Sequence, residues 1–376
     1  MRPAFSSTKA AAAFALLLLL LLALPAVMGK NLLPPRGEVY SGIGWVAGDF
    51  PYMRQQIFEE AGDADIVFVG ASRMLHGIDT PYVRQELSRQ LGRPAVVHTL
   101  AWCWAGYDAL YFITHDLLQH RKVRMIVFYD DGYDLPHRLA TRWFRFRENA
   151  GDLAGLTFPM QAEYYFAAII GMPRQLLNLV RPNRWPDEIN PEVATYWELK
   201  KHALSPIQRL GTVTCVDGFS PTAGDDDHAA FTAFTPQNGV RPEAACVYSP
   251  ATSNRFKFTR EGFSAWENHL SWQDFFINKF AAQAKAAHCQ LVLLHLPAYD
   301  ERRSNVIGER TIYAGMTDPK IPMLGIPPDR LFAGLDDGQV QELYYDPYHF
   351  NLNGQTWFTR LITPPFLKLY ENATNH

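Results

Sequence analysis

The sequence predicts an α/β fold, a three-layer α/β/α sandwich on a parallel sheet, and three observations carry that expectation. Short apolar runs rich in β-branched residues recur along the chain, beginning with Ile66-Val67-Phe68-Val69, and read as strands buried on both faces. Stretches with apolar residues at helical spacing alternate with them, which is the grammar of a parallel sheet with right-handed crossovers. The first run stops abruptly in Gly70-Ala71-Ser72. The carboxyl end of such a strand is where α/β proteins place their chemistry.

Taken in order, residues 1–29 carry Arg2 and Lys9 and then an almost unbroken apolar stretch with a solid block from Leu16 to Leu22. This is a signal peptide or an N-terminal membrane anchor. Pro25 is compatible with either fate, and Val27-Met28-Gly29 is only a fair cleavage site. Positive charge ahead of the apolar run favours a cytoplasmic N-terminus and an exported, extracytoplasmic or periplasmic body. Residues 30–62, with Pro34-Pro35 and a helical pattern near Tyr52 to Glu60, form a lead-in.

Residues 63–134 are the first part of the core. After the Ser72 turn, Tyr82, Leu87 and Leu91 recur at helical spacing until Gly92-Arg93-Pro94 ends the helix. Residues 95–100 read as a second strand, Leu110, Ile113, Leu117 and Leu118 as a second helix, and residues 123–129 as a third strand. Residues 135–264 are too long for a simple crossover and are expected to form an insertion or lid between the third and fourth recognisable strands. Residues 265–376 return to the core grammar, with Leu270, Phe275, Phe276 and Phe280 on a helix and a fourth strand over 290–296.

Composition narrows the function classes. A net charge of −3 over 376 residues provides no basic field for nucleic acid, so a nucleic-acid partner is not expected. Cys103, Cys215, Cys246 and Cys289 contain no CxxC pair. No structural zinc site is expected, and a Cys215–Cys246 disulfide would suit a loop-rich exported insertion. Asp225-Asp226-Asp227-His228 reads as a solvated turn, so neither metal nor cofactor is expected. The cluster Arg142-Trp143-Phe144-Arg145-Phe146-Arg147 could meet a sugar or a lipid surface, or simply pack a helix face.

Ser72 has two readings. A serine after a strand is commonly the N-cap of the next helix, but a small-small-Ser tip also frees the hydroxyl at the sheet edge, as a nucleophile requires. Near the other end stands Tyr345-Asp346-Pro347-Tyr348-His349-Phe350-Asn351. An Asp three residues before a His in a rigid turn can accept the Nδ1 proton and leave Nε2 as a base.

Val69-Gly70-Ala71-Ser72-Arg73 together with Asp346-Pro347-Tyr348-His349 resembles the nucleophile and terminal blocks of the SGNH hydrolase (GDSL-like) superfamily. The likeness is nearer to its exported branch, which includes alginate O-acetyltransferase-like proteins and the protein that assists teichoic-acid D-alanylation. The resemblance implies Ser72 as nucleophile, His349 as general base and Asp346 as its orienting partner. It implies an oxyanion hole from Ser72, Gly106 and the position of Asp131, where the family has an Asn. A carboxylate there would repel a developing oxyanion, so it points away, stays protonated, or another donor serves. Arg73 and Arg145 are candidates for meeting substrate. The implied activity is O-acetyl transfer to a cell-surface or exported polysaccharide, with the acyl donor delivered by a membrane acyltransferase. A carbohydrate esterase or lipase-like hydrolase, or a noncatalytic polysaccharide-binding or assembly factor that keeps the fold, is the alternative.

Overall fold

The computed structural model describes residues 5–31, 35–40, 50–101, 106–129, 144, 145, 147, 151–180, 213–214, 220–221, 246–248, 272–304, 321–344 and 347–374. The chain divides into two compact units, one of Met1–Ile43 with Arg138–Trp185 and one of Gly44–His137 with Pro186–His376.

The first unit opens with α1 (Thr8–Asn31), whose stretch Thr8–Met28 is long and apolar enough to cross a membrane, and continues with the short α2 (Arg36–Val39). Here too lies a long helix, Phe158–Val180. The segment after α1 is fastened within this unit. Arg36 Nη1 donates to Asp152 Oδ2 at 3.1 Å, its guanidinium lies over the Phe144 ring, and Tyr40 meets Phe144 edge-on.

The second unit starts at α3 (Phe50–Arg54), which widens into a π-helical turn over Gln55–Glu59. It then runs β1 (Ala64–Gly70), α4 (Ser72–Gly77), α5 (Thr80–Leu91), β2 (Val97–Ala101), α6 (Tyr107–His120) and β3 (Val123–Tyr129). With Phe158–Val180 of the first unit taken as α7, there follow a two-residue ladder β4 (Val213–Thr214) with β5 (Ser220–Pro221), and then β6 (Cys246–Tyr248). The chain closes with α8 (Trp272–Ala286), β7 (Gln290–Leu294), β8 (Met323–Gly325) and α9 (Leu352–Thr374). The sheet order is β2-β1-β3-β7-β8-β6, the first five parallel and β6 antiparallel at the edge. Both β6 and β8 are too short to have shown a periodicity in the sequence, and β6 falls inside the stretch expected as an insertion.

Register assigns the faces. Phe68 stacks on Phe366 of α9, and Thr99, beside Phe68 in register, exchanges a 2.6 Å hydrogen bond with Thr80 of α5. Val69 pairs with Phe128, whose ring meets Phe280 of α8 and Tyr107 of α6 edge-on. Because successive strand residues point to opposite faces, α5 and α9 cover one face and α6 and α8 the other. This is the three-layer α/β/α sandwich. Every residue of β1 is buried, as a central parallel strand requires.

The crossover from β1 to β2 and the one from β2 to β3 run on opposite faces, so the strand order reverses around β1. In doubly wound sheets that reversal opens a crevice at the carboxyl ends of the strands. Ser72 stands at that edge.

The opposite edge is held by a buried carboxylate. Asp65, 2% exposed, accepts from Arg93 Nη1 and Nη2, from the Val96 N–H and from the Tyr370 hydroxyl at 2.6 Å. Burial alone would raise its pKa, but the Arg93, Tyr370 and Val96 hydrogen bonds outweigh it and hold the group below the usual carboxylate range. One side chain thereby ties β1, the entry to β2 and the end of α9 together.

Candidate active site

Ser72 reaches the sheet edge because the chain leaves β1 through two small residues. Ala71 is extended, with φ −100° and ψ −167°, and is the cap residue of α4, while Ser72 is already its first helical residue. No side-chain cap is made at this helix start, so the N-cap reading of Ser72 does not apply. Its Oγ instead lies 2.8 Å from Nε2 of His349.

His349 is delivered by a loop closed at both ends. Tyr344 and Phe350 form an antiparallel bridge, and the Asn351 amide donates to the carbonyls of Glu342 and, at 3.4 Å, Tyr344. Asn351 Oδ1 also accepts from the Gly354 N–H and so caps α9. Gly354 packs where no side chain fits: a Cβ there would stand 2.5 Å from Cδ1 of Phe350 and closer still to the Leu343 carbonyl. From outside, the Tyr299 N–H donates to the Pro347 carbonyl. Gln355, one turn into α9, donates to the carbonyls of Leu75 and Ile78 behind Ser72. His349 and Ser72 therefore share a common scaffold.

Asp346 lies outside the described residues, as does Asp131. Gly106 is described: buried and extended, it caps α6 after β2, the strand beside β1, so it stands at the same sheet edge as Ser72. Arg73 donates to the Leu296 carbonyl, fixing α4 to the loop that leaves the carboxyl end of β7. Arg145 belongs to the first unit, where its guanidinium lies over the Tyr165 ring at 5.6 Å. Among the described residues no group of three or more His, Cys, Asp or Glu could hold a metal ion. Of the expected Cys215–Cys246 disulfide, Cys215 lies outside the described residues. Cys289, which is not part of that pair, is a buried thiol whose pKa burial pushes up to about 12.

Three polar residues at the site escaped the sequence reading. His76, one turn beyond Ser72 on α4, sets its ring across that of His349, with centroids 5.4 Å apart and planes at 78°. The Ser-x-x-x-His spacing was the available signal. Behind Arg73, buried His295 places Nε2 3.3 Å from Glu301 Oε2, and that carboxylate accepts the Ala298 N–H. Burial raises the Glu301 pKa, but the His295 hydrogen bond and charge, Arg73 and the Ala298 N–H outweigh it and bring it down to about 2. Five intervening residues with no periodicity hide this pair in the sequence.

Compared with protein families, with curated proteins and with solved structures, the chain matches none. What the site can do is therefore argued from its own atoms. A hydroxyl on an imidazole nitrogen at the carboxyl edge of a parallel sheet is placed so that the imidazole could take its proton.

Proposed function

We propose that this chain is an extracytoplasmic, serine-dependent acyl-transfer enzyme similar to the exported SGNH (GDSL-like) proteins, acting by O-acetylation of a cell-surface or exported polysaccharide. The single observation that carries the reading is the 2.8 Å contact between Ser72 Oγ and His349 Nε2. The membrane-length α1 supports a body held outside the cytoplasm by an N-terminal anchor.

In this mechanism Ser72 attacks the donor ester while His349 takes the Oγ proton, and Asp346 holds the imidazole tautomer. The Ser72 and Gly106 N–H groups receive the developing oxyanion, with a donor other than Asp131 in the third place. Collapse breaks the ester C–O bond, and His349 passes its proton to the leaving alcohol. The acyl-enzyme then meets a carbohydrate hydroxyl, whose proton returns through His349 to Ser72 as the new ester forms. A bound acceptor competes with water through its high effective concentration. A membrane acyltransferase is the expected source of the acyl group.

Asp130-Asp131 at the expected Asn favours a second reading, a noncatalytic polysaccharide-binding factor that keeps the fold. The test labels the wild type and Ser72→Ala with a serine-directed phosphonate, then offers an activated acetyl ester with and without cell-surface oligosaccharides. Acetylated sugar found by mass supports transfer, and Ser72-dependent acetate that no saccharide diverts supports an esterase. Absence of any Ser72-dependent labelling or turnover supports the binding factor.

A further inference from the structure

The unit that carries α1 presents a second surface with no counterpart in the Ser72 chemistry. Helix α7 has two apolar sides. Met160, Tyr164 and Ala168, spaced four apart, are buried. Phe158, Ala162, Tyr165, Phe166 and Ile169, spaced four, three, one and three apart, make a second stripe. Its two phenylalanines face outward: Phe158 is 83% exposed and Phe166 53%. Gln161 and Glu163 flank this stripe and are exposed. A water-facing helix side would be expected to carry the reverse pattern.

From the geometry and charge of this unit we infer that α7 lies flat in the outer headgroup layer of an anionic bilayer, as a second membrane contact beside α1. Two further observations choose lipid as the occupant. The ion pair of Arg36 with Asp152 and the packing of Tyr40 on Phe144 hold the start of the α7 region to the chain emerging from α1. Arg36 follows the end of α1 by five residues and Phe158 follows Asp152 by six. The stripe is therefore tethered within a few residues of any membrane that α1 spans. Charge agrees: from Lys30 to Ile43 and from Arg138 to Trp185 this unit has nine Lys or Arg against four Asp or Glu, in a chain whose net charge is −3. Helix α7 itself is neutral, with one Arg and one Glu, and the basic excess lies in the segments on either side of it. A helix with aromatic residues on one side, set in such a basic surround, suits anionic headgroups, where its apolar side sinks about 5–10 Å into the interface. The effect would be to hold this part of the chain at the bilayer surface, independently of the reaction at Ser72.

The experiment uses the full chain in vesicles of phosphatidylcholine with phosphatidylglycerol. Phe158→Cys, Phe166→Cys and Glu163→Cys are each labelled with a fluorophore, and the unsubstituted chain is labelled in parallel to subtract signal from the native cysteines. Quenching by lipids brominated on their acyl chains is compared with quenching by aqueous acrylamide. Labels at 158 and 166 should be quenched by brominated lipid several-fold more than the label at 163, and shielded from acrylamide. That contrast should weaken without phosphatidylglycerol. In the same vesicles, Phe158→Asp with Phe166→Asp should speed hydrogen exchange across α7 while phosphonate labelling of Ser72 stays unchanged. Equal acrylamide access at 158, 166 and 163 overturns the proposal, because the stripe then faces water. Shielding of 158 and 166 from both quenchers also overturns it, because protein then covers the stripe. A contrast indifferent to phosphatidylglycerol overturns the assignment to anionic lipid.

Discussion

Ser72 and His349 are 277 positions apart in the chain and 2.8 Å apart at the sheet edge, Oγ to Nε2. If the two act as one device, removing either should cost about as much as removing both. Ser72→Ala, His349→Ala and the double variant are each expected to lose on the order of a thousandfold or more in acyl transfer. Losses that add in the double variant, or full phosphonate labelling of the His349 variant, would count against a shared mechanism.

The loop that presents His349 depends on the missing side chain at Gly354. Gly354→Ala should push a methyl group into Phe350 and the Leu343 carbonyl, costing about 1–3 kcal/mol as an overpacked site. Because the displaced groups flank His349, labelling of Ser72 should slow by more than the loss of folded protein explains. Urea unfolding followed by labelling of the folded fraction separates the two effects.

Asp65 makes a prediction at the far edge of the sheet. Tyr370→Phe removes one charge-assisted hydrogen bond to a buried carboxylate and should cost roughly 1.5–3 kcal/mol. Asp65→Ala should cost more, about 3–5 kcal/mol, since it strips a buried charge from its partners. Both variants should keep the Ser72 chemistry in whatever fraction remains folded, as read by active-site titration against chemical denaturation.

Glu301 predicts how stability responds to acid. Its folded pKa, about 2, lies below its ordinary value of 4.5, so the folded state binds its proton less readily than the unfolded chain does. The stabilisation from this group is fully present above pH 4.5 and is lost as pH falls toward about 2. Glu301→Gln should lower stability at neutral pH and flatten the decline in that window. Unfolding free energies measured at stepped pH decide this, and a slope unchanged by Glu301→Gln would assign the decline to other carboxylates, Asp65 among them.

By itself the sequence determined the core strands, the helices between them and the two polar motifs. Strand β3 spans the predicted residues 123–129, and the helix of Tyr82, Leu87 and Leu91 ends at Gly92 in the left-handed conformation, φ 66°. These features are legible because burial on both faces of a strand, or along one stripe of a helix, writes a local periodicity. The Gly-Ala-Ser tip was equally local. Only the tertiary structure decided whether Ser72 caps a helix or meets the His349 imidazole, since that depends on a loop 277 residues away. It also decided that Arg73 points to the Leu296 carbonyl, that His76 crosses His349, and that His295 and Glu301 form a buried pair. Strands β6 and β8, three residues each, and the grouping of Arg138–Trp185 with the N-terminal helix were likewise invisible. The reason is common to all of them: a side-chain partner brought from a distant segment leaves no spacing in the chain to read.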